Sequence, residues 1–159
     1  MPTHNAANAA YNAQVSPNAT LHPTFKLQLI SPEQIEHQRP EEKVVLPAAR
    51  GEMMVLAKHA PELVALNMGV VRCLHATGEE DAFFIEGGFA DIGPNHVTIL
   101  TPHAKPLHHI EAEPLQEEIL RLQDELPNLA DDQISQLKAQ TRLNLLLAQL
   151  KAVETYKTV

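Results

Sequence analysis

Phe25-Lys26-Leu27-Gln28-Leu29 alternates apolar and polar residues, the pattern of a strand with one dry face and one wet face. Successive strand side chains point to opposite sides, so Phe25, Leu27 and Leu29 share a face. Further short β-prone runs follow: Val44-Val45-Leu46, Met53-Met54-Val55-Leu56, Val70-Val71-Arg72-Cys73-Leu74, Phe83-Phe84-Ile85 and Val97-Thr98-Ile99-Leu100. Turn signals punctuate them at Ala49-Arg50-Gly51, Thr77-Gly78-Glu79, Gly87-Gly88 and Gly93-Pro94-Asn95. Many short strands at this spacing predict a sandwich or barrel rather than alternating strand and helix, taken as an antiparallel β-sandwich over residues 25–105.

After Pro106 the period changes. Leu115, Ile119, Leu122 and Leu126 recur at helical spacing and form one narrow apolar stripe. Pro127 ends that helix, and Asn128 or Asp131 is placed to cap a second one running to about Tyr156. Ile134, Leu137, Leu143, Leu146, Leu147, Leu150 and Val153 are expected to form its broader apolar face. Two such helices on a short polar link predict an antiparallel two-helix hairpin over residues 106–159. Residues 1–24, rich in Ala and Asn and interrupted by Pro2, Pro17 and Pro23, read as a mobile N-terminal extension.

Composition narrows the function classes. Hydrophobic residues make up 44% of the chain, enough for a packed core, but aromatics are only 4%, so that core rests on Val, Ile, Leu and Ala. A net charge of −8 argues against a nucleic-acid surface, which needs a basic patch to meet phosphates, and favours protein partners. Cys73 is the only cysteine, so no internal disulfide can form. No apolar run reaches the roughly 20 residues of a membrane-spanning helix. The first 24 residues hold neither Lys nor Arg, unlike a secretory or mitochondrial leader. These features lead to the expectation of a soluble, cytoplasmic protein without membrane insertion.

The order of parts, and five segments in sequence, resemble the epsilon subunit family of bacterial F-type ATP synthases, counterpart of the mitochondrial delta subunit. The segments are Leu29-Ile30-Ser31-Pro32-Glu33, then Gly51-Glu52-Met53-Met54-Val55-Leu56-Ala57-Lys58-His59-Ala60-Pro61, then Gly69-Val70-Val71-Arg72. Glu86-Gly87-Gly88-Phe89-Ala90-Asp91-Ile92 and Val97-Thr98-Ile99-Leu100 complete the set. The chain departs from the family pattern at Met54, where a second glycine is usual, and at Ala57-Lys58, where Pro-Gly is usual. It also has Met68 where a proline usually precedes the glycine.

The resemblance implies a non-catalytic rotor subunit with no cofactor and no metal, peripheral at the cytoplasmic face of the membrane. Its sandwich would touch the gamma subunit and the ring of c subunits and help to pass torque to the catalytic head. Met53, Met54, Leu56 and His59 are the candidate sandwich contacts, although ordinary core or loop-holding roles fit each of them as well. In some family members the hairpin extends and restrains ATP hydrolysis through basic side chains that face the alpha and beta subunits. Lys138 and Arg142 would be those residues here, but Lys151 falls on the opposite side of the helix, so the stripe is broken, and Lys157 follows near the end. Other members bind ATP through an Ile-Asp-x-x-Arg-Ala segment. The matching Ile110-Glu111-Ala112-Glu113-Pro114-Leu115 lacks the arginine and is acidic, which argues against ATP binding.

Two readings from other classes stay open. A metal-dependent β-sandwich enzyme would draw on His103, His108, His109 and Glu111, although their spacing straddles Pro106. A free-standing adaptor could use the same fold to present its hairpin, since fold does not fix function. Hydrolase or kinase chemistry has no support, because the chain has no nucleophile elbow and no glycine-rich phosphate loop.

Overall fold

A computed structural model describes residues 22–156. The extension expected over 1–24 therefore lies, apart from His22, Pro23 and Thr24, outside the described residues, as does Lys157. Eight strands come first: β1 (Phe25–Ile30), β2 (Ile35–Glu41), β3 (Lys43–Ala48), β4 (Gly51–Leu56), β5 (Glu62–Leu74), β6 (Glu80–Ile92), β7 (His96–Leu100) and β8 (Ala104–Pro106). Their lateral order is β2-β1-β7-β6-β5-β3-β4, with β8 also paired to β6. Six of the seven ladders are antiparallel, but β1 and β7 pair in parallel. The long chain between them allows both to run in the same direction.

β2 carries no apolar alternation and was not legible as a strand. Ile35-Glu36-His37-Gln38-Arg39-Pro40-Glu41 pairs with β1 from Phe25↔Glu41 to Leu29↔His37. It lies at the sheet's edge, where Pro40 costs no needed donor.

The main core shows how the long strands work. On β6, Phe83 and Ile85 face inward at one end, but Ala90 and Ile92 face inward at the other. The inward parity therefore changes within the strand. On β5 it changes in step, from Val64 and Leu66 to Val71 and Cys73. Because strand faces alternate with period two, a one-residue slip in parity moves the dry side across the sheet. The ladder continues in one register but lapses opposite Asn67 and Gly87, between Leu66↔Gly88 and Met68↔Glu86.

Gly87-Gly88, which in sequence signals either a turn or a bulge or close strand approach that a Cβ would forbid, lies inside β6. Gly87 has φ +86° and Gly88 φ +132°, which only glycine adopts readily. A Cβ on Gly88 would lie 2.0 Å from the Leu100 carbonyl oxygen, so the two backbones approach there at a distance that excludes any side chain. Each long strand thus serves both layers of the sandwich. The β5–β6 half beyond the flip turns Val70 and Phe84 away from the main core.

That outer surface receives the helices. A short 3-10 turn (Leu107–His109) leads to α1 (Ala112–Glu125), and a second turn (Leu126–Leu129), which contains Pro127, leads to α2 (Gln133–Tyr156). Leu115, Ile119 and Leu122 of α1 pack with Leu143, Leu146, Ala152 and Val153 of α2 and with Phe84, Val70, Leu107 and Ile110. Arg142 also spans the two helices, donating to both carboxylate oxygens of Glu118 at 2.9 and 3.2 Å and holding that carboxyl below its usual range.

Two expectations for α2 are corrected. The capping residue is Asp132, not Asn128 or Asp131: its Oδ1 accepts from the Ile134 and Ser135 amides, and its Oδ2 accepts from the Ser135 hydroxyl. Asn128 is taken up in the 3-10 turn. The apolar face is also narrower than expected, since Ile134 and Leu137 are each 68% exposed and Leu147 is 43% exposed. At ~100° per residue, Leu143, Leu146, Leu150 and Val153 fall within about 80°, whereas Ile134 and Leu137 point to the other side.

Lys58 has φ 66°, the one positive φ outside glycine among the described residues, at the position where the family pattern has glycine. Lys58→Gly should raise the unfolding free energy by a few tenths to about 1 kcal/mol. Gly88→Ala should lower it by about 2 kcal/mol or more, because backbone strain and overlap with Leu100 add together. Urea denaturation of the two variants measures both shifts.

Candidate functional site

The β4 strand alternates in burial although Met53-Met54-Val55-Leu56 is apolar throughout, and this separates Met53 from the two exposed candidates. Val55 is fully buried, Met53 is half-buried against the core, and Met54 and Leu56 are exposed on the other side. β4 is the last strand of the sheet order, so this apolar side chain pair stands on a free edge. The turn that follows brings in His59, whose Nδ1 lies 2.7 Å from the Ala60 carbonyl oxygen, a contact that fixes the ring just before Pro61. A hollow of about 520 Å³ separates the β3–β4 turn from the first residues of β5, with Arg50, Glu52 and Met53 on one wall and Leu63 and Val64 on the other.

The end of α2 closes over the start of β4. The Tyr156 hydroxyl donates to Glu52 Oε1 at 3.0 Å, and the Arg72 guanidinium stands 5.4 Å from the centre of the Tyr156 ring. Arg72 also approaches Glu52 at 3.7 Å and Glu80 at 3.8 Å. Burial, and then the bond to Glu52, push the Tyr156 phenol above its ordinary value. Through Glu52, the hairpin touches the strand that carries Met54 and Leu56.

A second surface was not foreseen. Ile35 pairs with Ile30, Ile30 with Leu100, Leu100 with Phe89, and Phe89 with Ala65. The five residues lie in one row across five neighbouring strands, and their strand neighbours Leu29, Ile99 and Ala90 fill the core. Ile35, Leu100 and Phe89 are each more than half exposed. The signal was present, since Val97-Thr98-Ile99-Leu100 and Phe89-Ala90-Asp91-Ile92 both alternate. Only the strand register shows that their outward members meet.

The basic candidates lie elsewhere. Lys138 is exposed near the start of α2, and Arg142 one turn later is committed to Glu118. Lys138 is therefore the exposed cation of that pair, on a different element from Met53, Met54, Leu56 and His59.

The remaining chemistry is sparse. Among the described residues no three His, Cys, Asp or Glu side chains are arranged to hold a metal ion. His103, His108 and His109 are exposed, the last two packing ring against ring at 4.2 Å. A hollow of about 200 Å³ beside Lys105, His109 and Glu111 is lined by Glu118, whose carboxylate Arg142 already holds. Cys73 is buried, and burial, reinforced by Glu41, Asp81 and Glu80, pushes its thiol far above the range where it ionises. No helix of the described residues is long and apolar enough to cross a membrane.

The same architecture occurs in solved assemblies. A chain of the Euglena gracilis mitochondrial ATP synthase, in its OSCP/F1/c-ring structure, superposes with a TM-score of 0.69 at 22% identity, covering 98% of this chain and 94% of that one. A chain from the central stalk and c-ring of the Tetrahymena thermophila mitochondrial ATP synthase gives 0.56 at 15% identity, covering 84% of this chain and 99% of that one. At those identities the likeness is one of fold. Sequence relatives are nearer. The ATP synthase epsilon chain of Mesorhizobium japonicum is 35% identical over 130 residues, 82% of this chain and 93% of its own length. That of Rhizobium meliloti is 33% identical over 127 residues, 80% and 90% respectively. Residues 24–106 match the family model described as ATP synthase, delta/epsilon chain, β-sandwich domain. With a sandwich of this topology, a helical hairpin on its outer layer and relatives matched over most of their length, the chain belongs to the ATP synthase delta/epsilon chain family.

Proposed function

We propose that this chain is a non-catalytic rotor subunit of a proton-driven F-type ATP synthase. Its sandwich docks the gamma subunit to the c-ring and so couples rotation to ATP synthesis at the catalytic alpha and beta subunits. The observation that carries this reading is the outward apolar row Ile35, Ile30, Leu100 and Phe89, a surface built to be covered. Its relatives named ATP synthase epsilon chain support the assignment. The β4 edge, where Met54 and Leu56 are exposed and Met53 and His59 adjoin them, supplies a second and separate contact. Residence on the cytoplasmic face follows from such docking and needs no membrane segment of this chain's own.

In this hairpin position Arg142 is bonded within the hairpin, so Lys138 and Arg142 are not presented together as a basic pair. Restraint of ATP hydrolysis would require the Glu118–Arg142 bond to open first, a step that costs about 1 kcal/mol or less for an exposed ion pair.

Phe89→Glu combined with Leu100→Glu should leave the isolated protein folded, since both side chains already face water. It should weaken binding to purified gamma subunit by tenfold or more, about 1.4 kcal/mol. Titration by isothermal calorimetry, with circular dichroism as the folding control, tests it. Unchanged affinity would remove the row from the interface. Failure of the unaltered chain to bind gamma, or its recovery from membranes with unrelated partners, would favour the adaptor reading.

A further inference from the structure

Away from both docking surfaces the sandwich contains a buried polar cluster that the rotor role does not use. Glu41, at the end of edge strand β2, is fully buried, and His37 and His75 are nearly so. His37 Nε2 donates to Glu41 Oε1 at 2.7 Å. His75, just past the end of β5, has its Nδ1 2.6 Å from Glu41 Oε2, a close approach off the angle of an ideal hydrogen bond. On the other side of the same ring, Nε2 lies 2.9 Å from Asp81 Oδ2 on β6. Arg39 reaches the same Asp81 oxygen at 3.9 Å, and His37 Nδ1 stands 4.0 Å from it. The two imidazoles stack at 6.0 Å, and Phe83 closes the apolar side of His37 at 5.2 Å. Cys73 and Glu80 complete the ionisable groups that share this region, as the pressure of Glu41, Asp81 and Glu80 on the Cys73 thiol indicates.

The proton count follows from donor chemistry. An ionised carboxylate only accepts, and a neutral imidazole donates from one nitrogen and carries a lone pair on the other. His75 faces a carboxylate oxygen with each nitrogen, so with Glu41 and Asp81 ionised both contacts are attractive only when both nitrogens carry protons. One imidazolium together with Arg39 then offsets the two negative charges of Glu41 and Asp81, which a buried carboxylate requires. If the proton leaves, a lone pair faces a carboxylate oxygen inside the fold.

We propose that His75, held between Glu41 and Asp81, is a built-in proton-binding site that clasps edge strand β2 to the β5–β6 hairpin, tight when protonated and loosened when the proton leaves. The sign of the pH dependence is set by the bonded form. The contacts of His75 to Glu41 and Asp81 need the added proton, so the clasp is strongest in acid and weakens when base removes that proton. The site is a property of the sandwich alone and stands or falls independently of rotor docking.

The test uses the full chain. Nitrogen NMR of the imidazole rings at neutral pH should show His75 with both nitrogens protonated, and the thermal midpoint should fall across the pH step in which His75 loses a proton. Glu41→Gln should flatten this fall. Asp81→Asn, at the half-exposed end of the cluster, should flatten it too and serves if Glu41→Gln does not fold. A single-protonated His75 at neutral pH would overturn the proposal, as would a midpoint profile in Asp81→Asn parallel to that of the unaltered chain.

Discussion

The approach of Gly88 to the Leu100 carbonyl is the contact on which the other parts of this molecule depend. A Cβ there would overlap backbone, and backbone cannot move aside as a flexible side chain can. The two glycines at positive φ let β6 change its inward parity while its ladder to β5 keeps one register. From this single adjustment the long hairpin contributes Phe83 and Ile85 to one layer and Ala90 and Ile92 to the other. Two short hairpins could have built the same two layers, but they would have lacked the continuous strands that join them.

The same flip also sets what the outside of the sandwich offers. On one side of it Phe84 and Val70 turn outward, and the hairpin covers them through Leu107, Ile110 and the two helices. On the other side Phe89 and its neighbours turn outward and stay uncovered. Apolar residues exposed singly carry little information, but a row across neighbouring strands resembles an interface awaiting a partner. The hairpin is fastened at several points: the paired β8, the shared apolar cluster, and the Tyr156–Glu52 bond at its far end. Its position is therefore communicated to β4, the strand that bears Met54 and Leu56.

Much of the architecture was legible along the chain, because local periodicity is a local property. The alternation at Phe25–Leu29 and at Val97–Leu100 marked real strands, and the stripe at Leu115, Ile119 and Leu122 marked a real helix. β2 was hidden because its strand character comes from pairing with β1 and not from its own residues. Gly87-Gly88 reads in sequence as a turn or as a bulge or close strand approach, since positive φ serves each equally well, and only the structure selects the second. Ile134 and Leu137 were assigned to the wrong side of α2 because apolar residues were grouped by type without tracking their angle around the helix. The candidate site was legible only in part: Met54 and Leu56 stand out on an exposed strand edge, whereas the row through Phe89 and Leu100 spans five strands.

By itself, then, the sequence determined most of the strands and both helices, the order in which they come, and membership in a family whose motifs survive in five segments. These depend on residues close together in the chain, where spacing alone sets which side chains share a face. Only the tertiary structure decided which outward faces are covered, which meet in a row, and which ionisable groups meet in the interior. Ile35 and Phe89, or Glu41 and His75, are far apart in sequence and are brought together by strand register and layer packing, long-range constraints that no local pattern records.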